Sequence, residues 1–148
     1  MLSLPLEQAK IIYYSCYFNL IPTFFSIYTK TQIEIALISG GVFITSVNYW
    51  RYPIKHHWRR YLDIFYVHSS FLYALYLVHK TKFALQYYSL CTIPILCYPI
   101  SVYYGNKKMY VHAAVLHSLI HVFASICNLF WLFMVQRVKK KNQLKDIF

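Results

Sequence analysis

Residues 111–135 read VHAAVLHSLIHVFASICNLFWLFMV, a stretch free of Asp, Glu, Lys and Arg. As a helix rising 1.5 Å per residue it is long enough to cross the roughly 30 Å hydrocarbon core of a bilayer. A water-soluble core helix has no need of so long an uncharged run. The same stretch carries His117 and His121, spaced i, i+4 and therefore on one helix face. An imidazole at that depth is costly, and two on one face call for partners.

The rest of the chain agrees with a membrane reading. Of 148 residues, 59% are hydrophobic, 20% aromatic and only 13% charged, whereas soluble domains carry about a quarter charged residues. The length allows one domain, residues 1–148, with no internal repeat and no linker. The formal net charge of +11 is concentrated beside the apolar runs. Arg51, Lys55, Arg59 and Arg60 crowd the segment RYPIKHHWRR, and Lys139, Lys140 and Lys141 follow the last run. Clusters so placed face lipid headgroups, which makes membrane lipids the expected partners. No basic face of a soluble module is present, so nucleic-acid binding is excluded.

Cys16, Cys91, Cys97 and Cys127 all fall inside apolar runs and read as small buried hydrophobes, with no CxxC and no disulfide framework. The N-terminal run lacks a cationic start and a small-x-small cleavage site, and reads as a retained span.

The pattern predicts an all-α, polytopic bundle of about five spans: Gln8–Tyr28 with a kink at Pro22, Thr31–Trp50 with Gly40 and Gly41 allowing close packing, Tyr61–His79, Phe83–Tyr104 interrupted by Pro94 and Pro99, and Met109–Val135. Gly105 and Asn106 are expected to make a turn. Five spans put the N-terminus and the Arg-rich segment on one side and the lysines on the other, although both basic clusters favour the cytosol. The reading places the Arg segment there.

Depth brings the polar residues together. Counted from the Arg-rich side, His68 lies roughly 10 Å into its helix, and His117 and His121 roughly 9 and 15 Å into theirs. Asp63, Ser46, Asn48 and His112 fall above them. Three imidazoles in one layer with an open position suit a catalytic zinc, which would bring a bound water towards neutral pKa and polarise a carbonyl. Asp63, the single acidic residue between Glu34 and Asp146, is the candidate general acid/base, and Ser46 the candidate oxyanion donor. Arg59 and Arg60 are placed to hold an anionic headgroup.

A serine late in one helix, an aspartate opening the next and a later HxxxH pair resemble the CREST membrane hydrolases, which include the alkaline ceramidases, adiponectin receptors and Per1-like proteins. Ser46, Asp63, His117 and His121 carry the resemblance in order. It implies a zinc held by three histidines, with the serine and aspartate beside it, and hydrolysis of a lipid amide or ester. Two departures stand out. The family's third histidine follows the serine by one turn, where this chain has Trp50, so His68 would have to serve instead. The family also has seven helices. Two other classes remain open on the same residues: a b-type haem protein ligating iron through His68 and either His117 or His121, and a non-catalytic structural or accessory membrane protein.

Overall fold

The computed structural model describes residues 3–145, with side chains to residue 140. It is all-α, and its helices form five continuous rods. The first rod joins α1 (Leu6–Ser15), a 3-10 turn (Cys16–Asn19) and α2 (Leu20–Thr29). The others are α3 (Ile33–Trp50), α4 (Trp58–His79), α5 (Ala84–Asn106) and α6 (Tyr110–Lys145). Three of these, α3, α4 and residues Tyr110–Lys140 of α6, are long and apolar enough to cross a membrane.

The proline in the first rod acts upstream of itself. Pro22 has no N–H to give the Phe18 carbonyl four residues back, and its ring crowds that carbonyl. The helix answers by tightening to 3-10 geometry over Cys16–Asn19 and then resumes. The kink is therefore centred before Pro22 and turns Cys16 and Asn19 inward, where both are almost fully buried.

Other boundaries shift for local reasons. Helix α4 starts at Trp58 because His57 Nδ1 accepts the Arg59 backbone N–H at 3.3 Å, capping the helix earlier than hydropathy suggests. Arg59 and Arg60 consequently sit in its first turn. Helix α5 runs through Gly105 and Asn106, and the turn comes after them, with Lys108 taking the left-handed conformation at φ 61°. The lysines after Val135 extend α6 as a helix.

The rods pack up and down. At one end Leu4, Ala9, Ile12, Tyr49, Trp50, Ala113 and Ala114 cluster, and Ser3 N–H donates to the Pro53 carbonyl at 2.8 Å, tying the N-terminal segment to the Arg-rich connection. At the other end Ile35, Ala74, Val78, Phe83, Tyr87, Trp131 and Leu132 form the apolar core. Close approach of α3 and α4 depends on Gly41, where a Cβ would run into the Tyr66 ring; Tyr66 Oη instead donates to the Leu37 carbonyl at 2.9 Å.

Candidate functional site

The polar interior is assembled from four elements. Helices α3 and α4 contribute the carboxylate. Ser46 Oγ donates to Asp63 Oδ1 at 2.6 Å, and Thr45 Oγ1 donates to the same oxygen at 3.0 Å. All three residues are buried. A carboxylate can live there because two hydroxyls replace part of its lost hydration. Ser46 commits its proton to Asp63, so in this arrangement it orients the carboxylate instead of offering an oxyanion donor. The bond links residues 17 apart in sequence and unites the late serine with the early aspartate.

The 3-10 turn and α6 contribute a second network. Asn19 Nδ2 donates to the Cys16 carbonyl at 3.1 Å, which fixes the orientation of the amide. The same Nδ2 lies 3.4 Å from His121 Nδ1, so that nitrogen accepts and the proton resides on Nε2. Nε2 points at Cys16 Sγ, 3.7 Å away, and the thiol in turn donates to the Ile12 carbonyl at 3.2 Å. Ser125 Oγ donates to the His121 carbonyl at 2.8 Å and lies 3.4 Å from Asn19 Oδ1. Both ring nitrogens of His121 are thus engaged by protein.

His117, one turn earlier, is placed differently. Its ring meets Trp50 at 4.8 Å, His121 at 5.6 Å and Tyr98 at 6.4 Å between centroids. Among the described residues no hydrogen bond engages its nitrogens, and it is half-buried. Trp50 therefore occupies the α3 position, one turn beyond Ser46, that faces the histidine pair. Its indole Nε1 is buried with no hydrogen-bond partner among the described residues.

His68 stands outside this group. It is exposed, its Nδ1 donates to the Ile64 carbonyl at 2.7 Å, and its ring meets Tyr98 edge-on at 6.4 Å. Tyr98 touches both His68 and His117, which puts the two at similar depth but with a phenol ring in contact with each. His112 stacks on Tyr104 at 5.4 Å and is exposed; it does not cap the group. Arg59 lies with its guanidinium 5.9 Å above the Trp58 ring, and its Nε is buried without a partner among the described residues.

Tested against a zinc, this donor set does not fit as placed. Among the described residues no three His, Cys, Asp or Glu side chains gather at metal-binding distances. His121 would have to surrender Asn19 and Cys16, and Tyr98 rather than an open position joins His68 to His117. The same phenol occupies the contact through which His68 and His117 would share a haem.

Cys16, Asn19 and Thr45 are site residues that the sequence reading missed. Cys16 and Asn19 had a signal: two polar groups i, i+3 inside an apolar run, next to a helix-distorting proline. No known protein family, curated protein or solved structure matches the chain.

Proposed function

We propose that the chain is a multi-pass integral membrane protein, all five rods crossing the bilayer, that hydrolyses an amide or ester bond in a membrane lipid. The observation that carries this reading is the buried Ser46–Asp63 hydrogen bond of 2.6 Å, which holds a carboxylate inside an apolar bundle. Intramembrane carboxylates are costly and are kept for proton handling or binding. Asp63 has one oxygen committed to two hydroxyls; its role is to take the proton of an attacking water and return it to the leaving group. Arg59 and Arg60, in the first turn of α4, would meet the anionic headgroup at the interface. Because the histidines as placed do not make a three-ligand zinc site, no step is assigned to a metal.

The test uses the full chain reconstituted in vesicles with amide- and ester-linked lipids, reading released fatty acid. Asp63→Asn should lower the rate by about 100-fold or more, the range of a lost general base. Release that is absent from the wild type, or unaffected by the substitution, would sink the proposal. For the topology, cysteines introduced at Lys55 and Lys82 should label from opposite sides of the vesicle.

A second reading, a non-catalytic membrane component, is favoured by the closed hydrogen-bond network of His121, which needs no ligand to satisfy it. The two separate on the same assay, since a structural component releases nothing.

A further inference from the structure

The sequential helices α4 and α5 touch sparingly along their length. Near their connecting turn Tyr88 Oη donates to the Leu75 carbonyl at 3.5 Å and lies 3.4 Å from His79 Nδ1. Farther from that turn the His68–Tyr98 ring pair spans the crevice, at an interplanar angle of 85°. Both of its members are exposed. Behind Tyr98 lies His117, and against His117 stands Trp50, only 7% exposed yet with an indole N–H that has no partner among the described residues.

A buried N–H without an acceptor is rare, and in a low-dielectric interior it is expensive. His117 adds an imidazole free of hydrogen bonds in the same contact. Both lack what a carbonyl-bearing ligand would bring. The surroundings specify where it comes from: Leu72, i+4 from His68 on α4, and Ile95, i−3 from Tyr98 on α5, are exposed apolar side chains on the same helix faces as the ring pair and suited to acyl chains. Helix α5 is also the easiest rod to deform there. Pro94 and Pro99 flank Tyr98 and leave the carbonyls of Leu90 and Ile95, both in the turns before it, without their helical N–H donors.

We propose that the α4–α5 crevice is a lateral entrance from the bilayer, closed by the His68–Tyr98 ring pair, through which the ester or amide carbonyl of a membrane lipid reaches Trp50 Nε1 beside His117. Trp50 and Ser46 share one face of α3 at i, i+4, so a linkage held by the indole lies one helical turn from the carboxylate that Ser46 orients. This site names the binding step of the hydrolysis proposed above; only the bond cleavage after binding rests on that reading.

The probe is tryptophan quenching in vesicles containing phosphatidylcholine brominated on the acyl chain, with either diester or diether linkages. The share belonging to Trp50 is the difference between wild type and Trp50→Phe. It should be quenched more by the diester lipid, with the about two- to tenfold preference expected of one hydrogen bond. Tyr98→Ala, which removes the closing ring without touching Trp50, should raise diester quenching of the otherwise native chain. Equal quenching by the two lipids, or no increase in Tyr98→Ala, overturns the proposal. If ester preference holds while no fatty acid is released, the lipid site stands and the hydrolase falls. Release without ester preference removes the site and leaves the hydrolase.

Discussion

The two ends of the bundle are held together by different chemistry. Away from the Arg-rich segment, Ile35, Val78, Phe83, Tyr87, Trp131 and Leu132 interlock with almost no exposed surface. At the Arg-rich end a comparable apolar cluster is threaded by directional bonds, from Cys16 and Asn19 to His121 and from Ser46 and Thr45 to Asp63. Inside a bilayer an apolar side chain gains little by leaving lipid, so the first end depends mainly on close packing. Such a wall tolerates any side chain that fills the same volume. The other end depends on complete sets of donors and acceptors, and losing one member strands the rest. The contrast separates the region that sustains the bundle from the region that positions chemistry.

The largest expected effect is therefore at the apolar end. Leu132→Ala, at a fully buried position, should cost about 2–5 kcal/mol, while Leu132→Met should cost less than about 1.5 kcal/mol. Unfolding in detergent micelles reads both, and equal losses would erase the contrast. Gly41→Ala should cost about 1–3 kcal/mol by driving Tyr66 off α3; Tyr66→Leu in the same background should recover part of it.

At the polar end the two neighbouring histidines should behave unlike each other. His121→Leu leaves one Asn19 Nδ2 hydrogen without an acceptor and should cost about 1–3 kcal/mol, whereas His117→Leu leaves every described hydrogen bond intact and should cost less than about 1 kcal/mol. Similar losses in the two variants would refute the assigned network. Stoichiometric zinc in the wild type, lost in both His117→Ala and His121→Ala, would overturn it more decisively. The smallest effect belongs to Thr45→Val, about 0.6 kcal/mol, typical of a single side-chain hydrogen bond in a membrane bundle.

Much of this architecture is legible in the residue order. Apolar runs bounded by Arg, Lys and Tyr locate five rods, and the late serine, early aspartate and HxxxH pair mark the polar layer before any coordinates. What escapes is decided by contacts that hydropathy does not encode. The start of α4 depends on the His57 side chain reaching back to the Arg59 amide. The displaced kink depends on how Pro22 distorts the turn before it, and that distortion is what delivers Cys16 and Asn19 to His121. His68 shares the right depth, but depth leaves its lateral position open, and Tyr98 fills the contact between it and His117.

The 36 residues of α6 have one more consequence. At 1.5 Å per residue they extend roughly 54 Å, well beyond a hydrocarbon slab of roughly 30 Å. The surplus is a helical mast instead of a slack tail. Successive residues turn by about 100°, so Arg137, Lys139 and Lys140 fall within one sector of about 160° of its circumference. A neighbouring acidic surface approaching that sector would meet positive charge at a standoff from the bilayer set by the helix itself.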